Sequence, residues 1–102
     1  MITEAHGERA VIAVHGELDI ATCPDLAAAL ALQAADRRSI VLDMRGVEFL
    51  DSIGLRLLLH GRERAAADGL GFELMTSEVV EHTLETVGLT DFFARRQAPP
   101  RA

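Results

Sequence analysis

Hydrophobic positions along the chain alternate between short strand-like runs and longer helical stretches. Two β-rich runs, residues 2–6 and 10–18, are separated by Gly7-Glu8-Arg9, a pattern that predicts a hairpin at a sheet edge. The run over residues 39–44 is almost continuously apolar, which is typical of a buried strand, and we expect Arg45-Gly46 to break it. A last short run, residues 72–75, predicts one more strand.

Three helical stretches alternate with these strands, over about residues 22–35, 52–68 and 77–87. The order β-β-α-β-α-β-α predicts a single α/β domain over residues 1–93, in which helices pack on a mixed, mostly parallel sheet. Residues 94–102 offer nothing to bury, so we expect them to form a flexible C-terminal tail.

The third helix has recognisable signals at both ends. Ser77 is a favourable N-cap, and Gly88 fits a left-handed residue just after the helix. Val80, Leu84 and Val87 lie on one side of this helix at helical spacing.

The second helix is apolar over an unusually wide arc. Projected at 100° per residue, its apolar positions span roughly 200°, whereas a helix that lies on a sheet needs about 100°. Gly54 and Gly61 indicate close packing onto the sheet. Leu55 and Leu59 point to the side, where either a partner or a neighbouring helix covers them.

Ile53 has a different environment from these leucines. It falls among Arg56, His60 and Arg64 on the polar side of the helix, in the first turn beside Ser52. We therefore expect the Ile53 side chain to be exposed to solvent in the first turn of the helix, although single exposed apolar residues are common.

Length, composition and charge restrict the class of protein. A chain of 102 residues with 49% hydrophobic and 25% charged residues forms one folded core. No apolar run approaches the roughly 20 residues that cross a bilayer, and no secretion signal is present, so we expect a cytoplasmic protein without membrane partners. The net charge is −6 and the ten basic residues, all arginines, are dispersed, which argues against nucleic acid as a partner.

Patterns typical of catalysis or metal binding are missing from the sequence. The four histidines are scattered, and Ser52 is not part of a Gly-x-Ser-x-Gly elbow. Cys23 cannot form an internal disulfide and is expected to be a small packing residue. We therefore expect no enzymatic activity, no metal and no cofactor.

Ser52 stands out because its hydroxyl follows an acid, Asp51, at the predicted start of an apolar helix. Backbone N–H groups at a helix N-terminus lack intrahelical partners and carry a partial positive charge, so a phosphate there would be tolerated. Asp and Ser are also preferred N-caps, so these two residues alone leave a switch and a capping role both open.

Three segments in order resemble the STAS domain, and in particular the bacterial anti-sigma factor antagonists: residues 16–19 (Gly-Glu-Leu-Asp), Asp43-Met44 and residues 49–55 (Phe-Leu-Asp-Ser-Ile-Gly-Leu). The resemblance covers about residues 1–93 and implies a partner-switching protein. In that family, an ATP-binding anti-sigma factor kinase phosphorylates the serine of the third segment, and a phosphatase reverses the modification. The unmodified form binds the anti-sigma factor and frees the sigma factor.

By this resemblance Ser52 matches the phosphorylated serine, and Asp19 and Asp51 match acidic positions near it. Ile53 is a departure, because many members carry a second Ser or Thr at that position. We expect a monomer or weak dimer whose partner contacts the surface around the serine, formed by Asp19, Asp51, Ile53, Leu55, Arg56 and Leu59. The alternative is a STAS domain that binds its partner constitutively, with Ser52 only capping the helix.

Overall fold

A five-stranded sheet organises the molecule, and its strands lie side by side in the order in which they follow one another along the chain. The structure is a computed structural model that describes residues 1–97. Its strands are β1 (Ile2–His6), β2 (Arg9–Leu18), β3 (Ser39–Leu50), β4 (Phe72–Thr76) and β5 (Ala94–Arg95). β1 pairs with β2 in antiparallel fashion, and all other neighbours are parallel. The mixed, mostly parallel sheet predicted from the sequence is thus confirmed.

The helices are α1 (Cys23–Ala35), α2 (Ser52–Ala67) and α3 (Glu78–Thr86), and a 3₁₀ turn covers Thr90–Phe92. From β2 to β5 each strand lies beside its predecessor in the same direction, so right-handed crossovers place all three helices on one face of the sheet. The core fills the space between that face and the helices, and it includes Leu30, Leu42, Met44, Leu58, Leu74 and Leu84.

β3 is longer than predicted, because it continues through Arg45-Gly46 to Leu50. The register between β2 and β3 shifts just after Ala13, opposite Arg45-Gly46. This local bulge lets the two strands stay paired, so β3 does not end there. A Cβ on Gly46 would lie 2.9 Å from the Cβ of His15. The predicted break was wrong because this glycine serves the close approach of two strands rather than a turn.

α3 buries Val80 and Leu84, whereas Val87 is 48% exposed. The helix ends one residue before Val87, and Gly88 follows with a φ of +74°. The Leu89 N–H donates to the Leu84 carbonyl at 2.9 Å, which closes a Schellman motif. Val87 therefore lies in the C-terminal cap, beyond the last residue of the helix.

Ala94 and Arg95, predicted to begin the tail, instead form β5 beside β4. The Arg95 guanidinium pairs with the Glu81 carboxylate of α3 (Nη2 to Oε1, 3.0 Å). The Arg96 N–H donates to the Leu74 carbonyl at 2.9 Å. The tail was therefore predicted to begin too early, and its last part, residues 98–102, lies outside the described residues.

Candidate functional site at the start of α2

The carboxyl ends of β2 and β3 bring two predicted acidic residues to one edge of the sheet. Leu18 pairs with Leu50 at the ends of these parallel strands, and Asp19 and Asp51 are the next residues along the chain. The Asp51 N–H also donates to the Leu18 carbonyl at 3.4 Å. The topology therefore joins the segments around residues 19 and 51, which lie far apart in the sequence.

Asp19 organises the loop between β2 and α1. Its Oδ1 accepts the N–H groups of Ala21 (2.9 Å) and Thr22 (3.2 Å). The Thr22 hydroxyl donates to the Glu17 carbonyl at 2.7 Å. The half-buried Asp19 carboxylate thus fixes its own loop and adds a negative charge to the edge that carries Ser52.

Asp51, not Ser52, caps α2. One carboxylate oxygen of Asp51 accepts the N–H groups of Ile53 and Gly54, both at 3.0 Å. This arrangement satisfies two N–H groups that lack intrahelical partners, and it places a negative charge at the positive end of the helix dipole. The capping role considered for both residues belongs to Asp51.

Ser52 is the first residue of α2, and it is exposed. Within residues 1–97 its hydroxyl makes no hydrogen bond, since the neighbouring Asp51 supplies the cap. The hydroxyl is therefore accessible, and the helix does not depend on it.

Gly54 determines how closely α2 approaches the strand ends. A Cβ at this position would lie 2.5 Å from Cδ1 of Leu50 and 2.8 Å from the Leu18 carbonyl oxygen. A Cβ on Gly61 would similarly lie 2.9 Å from the Phe72 ring. The close packing predicted from these two glycines is confirmed, and it holds Ser52 at the edge of the sheet.

The Cys23 thiol is close enough to both acids to be influenced by their charges. Its residue is only 6% exposed. Burial raises the pKa of the Cys23 thiol above its ordinary value, and the negative charges of Asp51 and Asp19 raise it further. A thiol held in the protonated form is a poor nucleophile, which agrees with the packing role expected for Cys23.

The remaining predicted contact residues lie on different sides of α2. Ile53 is 38% exposed, as predicted, and Arg56 is exposed one turn after Ser52. Leu55 and Leu59 are half-buried and pack against the hydrophobic core. Part of each leucine is therefore covered by the core, and the rest is accessible.

Three further observations concern the whole described region, residues 1–97. None of its helices is both long and apolar enough to cross a membrane. No group of three or more His, Cys, Asp or Glu side chains in it is arranged to hold a metal ion. Its buried side-chain nitrogen and oxygen atoms all have hydrogen-bond partners, so none of them indicates a missing ligand.

The fold and the site define a small α/β domain that presents an accessible serine where a parallel strand leads into a helix. The family model described as "Mlab, STAS domain" matches residues 1–94. The chain therefore belongs to the STAS domain family, which confirms the resemblance found in the sequence.

Several named relatives are anti-sigma factor antagonists. The anti-sigma-F factor antagonist RsfB of Mycobacterium tuberculosis is 29% identical over 89 residues, which cover 86% of this chain and 73% of RsfB. The crystal structure of an anti-sigma factor antagonist from Mycobacterium paratuberculosis superimposes with a TM-score of 0.83 at 29% identity, covering 95% of this chain and 84% of that one.

The unphosphorylated form of the anti-sigma factor antagonist SpoIIAA has the same fold. Its structure superimposes with a TM-score of 0.79 and covers 94% of this chain and 87% of that one. The identity is 20%, so this likeness concerns the fold alone.

Proposed function

We propose that this protein is an anti-sigma factor antagonist that acts by partner switching at Ser52. The unmodified form binds an ATP-dependent anti-sigma factor kinase in the cytoplasm, and the sigma factor is released. The kinase phosphorylates Ser52, the complex dissociates, and a phosphatase restores the binding form. The protein acts by binding and has no catalytic step of its own.

The observation that carries this proposal is the division of roles between Asp51 and Ser52. Asp51 caps α2 through the N–H groups of Ile53 and Gly54. Ser52 is left exposed, and its hydroxyl makes no hydrogen bond to the described residues. A kinase can therefore modify the hydroxyl without removing the cap, and the naming of the relatives as anti-sigma factor antagonists supports the same function.

The charge of a phosphate supports an effect on binding rather than on folding. A phosphoserine adds about −1.5 to −2 charges. An anion at a helix N-terminus is normally favoured by about 0.3–1 kcal/mol, but here Asp51 already uses two of the N–H groups and its charge repels a second anion. These small opposing effects leave the fold intact. In an interface the same phosphate would be desolvated, and each 1.4 kcal/mol lost is about tenfold in affinity.

The proposed contact surface surrounds Ser52 at the edge of the sheet. Asp19 and Asp51 contribute negative charge, while Ile53 and Arg56 are the exposed α2 residues closest to Ser52 in the chain. The exposed parts of Leu55 and Leu59 extend the proposed surface along α2.

A constitutive protein-binding STAS domain is the second candidate. The Asp51 cap favours it in one respect, because Asp51 already occupies two N–H groups of the first turn and a phosphate on Ser52 finds fewer free ones than at an uncapped helix. Ile53 directly after the serine also departs from the usual sequence of switching members. In this case the negative charge at residue 52 would not decide which partners are retained.

Capture from a lysate of the source organism tests the proposal, with wild-type protein, Ser52→Asp and Ser52→Ala as baits. We expect wild type and Ser52→Ala to retain an ATP-binding kinase, and the purified kinase to bind Ser52→Asp at least about tenfold more weakly. With ATP, that kinase should phosphorylate wild type and not Ser52→Ala. The melting temperature of Ser52→Asp should stay within a few degrees of wild type, since surface changes cost about 0.5 kcal/mol or less. Equal retention of the same non-kinase proteins by all three baits would favour the constitutive scaffold.

A further inference from the structure

An apolar groove runs along the seam between α1 and α2. Near Ser52 it is bordered by Ile20 and Ile53, which are 73% and 38% exposed. Farther along the seam it continues as a deeper concavity, whose inner wall includes Phe72. The two parts form one groove because Leu57 and His60 line both of them.

Small side chains on the two facing helices open the deeper part. α1 contributes Ala27, Ala31 and Ala34 to its lining, and α2 contributes Gly61 and Ala65. The resulting cavity has a volume of about 120 Å³. A cavity of about 150 Å³ accepts a benzene ring, so this smaller one has room for one aliphatic side chain such as that of leucine.

A row of basic residues borders the groove on the α2 side. Arg56, His60 and Arg64 follow one another at intervals of four residues, and all three are exposed. None of them takes part in an ion pair within residues 1–97. Asp68 lies at the far end of the groove, and the α1 residues that line it carry no charge. The groove therefore combines an apolar floor with a basic edge, in a chain whose net charge is −6.

We infer that this groove, here called the α1/α2 groove, binds an amphipathic helix of the partner protein. The helix inserts apolar side chains between α1 and α2 and sets acidic residues against Arg56, His60 and Arg64. From Ile53 to Asp68 the groove follows about 22 Å of α2, which matches about four turns of a bound helix. Opposite charges across such an edge give specificity at contact, whereas the net charge acts weakly beyond the screening length of about 8–10 Å.

The α1/α2 groove differs from the contact surface predicted from the sequence. Leu55 and Leu59 lie on the opposite flank of α2, whereas Ile53 and Arg56 belong to both surfaces. Arg56 is one helical turn after Ser52, so a phosphate on Ser52 would offset the charge at the near end of the basic row. This inference uses the proposed function for the identity of the partner and for the effect of the phosphate.

Titration of the isotope-labelled full chain with synthetic peptides, followed by NMR, tests the α1/α2 groove directly. The probe is an amphipathic helical peptide of about 18 residues, or five turns, with leucines along one side and glutamates beside them. The control peptide carries lysine in place of each glutamate. We expect the acidic peptide to shift the resonances of groove residues and to bind at least about tenfold more tightly than the control.

Matched variants of the protein localise the contact. Arg64→Glu reverses a charge at the groove, and Ala31→Leu fills the cavity, so each should weaken binding of the acidic peptide about tenfold. Arg62→Glu reverses an exposed charge on the opposite side of α2, outside the lining of the groove, and should bind like wild type. The spectrum of each free variant shows whether its fold is kept.

Several outcomes would overturn the inference. The first is that the acidic and control peptides bind with equal affinity. The second is that resonance shifts are confined to the flank of α2 that carries Leu55 and Leu59. The third is that the acidic peptide does not bind at concentrations up to about 1 mM. A second copy of the chain is another occupant, since α3 is acidic and exposes Val79, and a dimer mass in sedimentation would then replace the inference. The peptides need neither a kinase nor a phosphate, so failure of the Ser52 switch leaves this result standing, and the reverse also holds.

Discussion

α2 and α3 both follow a strand of the sheet and both have a serine at their start, yet the two serines have opposite environments. Ser77 is the N-cap of α3, where its hydroxyl accepts the Val80 N–H at 3.3 Å and donates to the Val47 carbonyl at 2.9 Å. Ser52 lies one residue inside α2, and Asp51 takes the capping role. The Ser77 hydroxyl thus makes two hydrogen bonds within the fold, whereas that of Ser52 is exposed and makes none within residues 1–97. A displacement of one residue from the cap makes this difference.

Removing each hydroxyl in turn gives the largest expected contrast. Ser77→Ala loses a cap worth about 1 kcal/mol and a further hydrogen bond of about 1 kcal/mol. At about 4–8 °C per kcal/mol, the melting temperature should fall by about 10 °C. Ser52→Ala should change stability by less than about 0.5 kcal/mol. Thermal unfolding followed by circular dichroism measures both, and similar losses for the two variants would show that Ser52 also has a structural role.

Close packing of Gly54 against the strand ends holds the first turn of α2 in place. Gly54→Ala brings a Cβ within 2.8 Å of the Leu18 carbonyl oxygen, and overpacking of this kind costs about 1–3 kcal/mol. Alanine recovers up to about 1 kcal/mol of helix propensity, so we expect a net loss of about 1–2 kcal/mol.

Gly71→Ala is the matched control for Gly54→Ala. Its Cβ would meet only Ser39, at 3.5 Å or more, which is ordinary contact. Chemical denaturation of both variants gives the free energies of unfolding. If Gly54→Ala were as stable as wild type, the position of Ser52 would not depend on close packing against the strand ends.

The order of elements through α3 could be predicted because each carries a local periodic signal. Ser77 and Gly88, for example, mark the ends of α3 through their own conformational preferences. Gly46 and Arg95 were misjudged because tertiary contacts decide their roles: a close approach to β2 in one case, and an ion pair with Glu81 in the other. A two-residue strand such as β5 has no period to detect.

The candidate site could be predicted only in part. The position of Ser52 at the start of a helix follows from the sequence, but Asp and Ser are similar as caps, so the choice of Asp51 required the three-dimensional structure. The α1/α2 groove has no local signal at all. Ala31 and Gly61 are ordinary residues of their own helices, and the space between them appears only where the helices face each other.

The smallest expected effect is the pH dependence of the ion pair between Glu81 and Arg95, which α3 makes and for which the start of α2 has no counterpart within residues 1–97. The hydrogen bonds from Arg95 lower the pKa of the Glu81 carboxyl, against the effect of burial, and the Thr76 hydroxyl adds to the lowering. Because the folded-state pKa is below the unfolded one of about 4.3, this pair stabilises the fold above that pH, and the contribution is lost as the pH falls through the folded-state value. Glu81→Gln should therefore be less stable than wild type at neutral pH, by less than about 1 kcal/mol since the pair is partly exposed, and the difference should shrink in acid. Melting temperatures of both proteins between neutral and acidic pH measure this difference in stability. Glu85→Gln, at an exposed residue of the same helix, is the control. If the difference between Glu81→Gln and wild type were the same at every pH, the effect would come from packing rather than from charge.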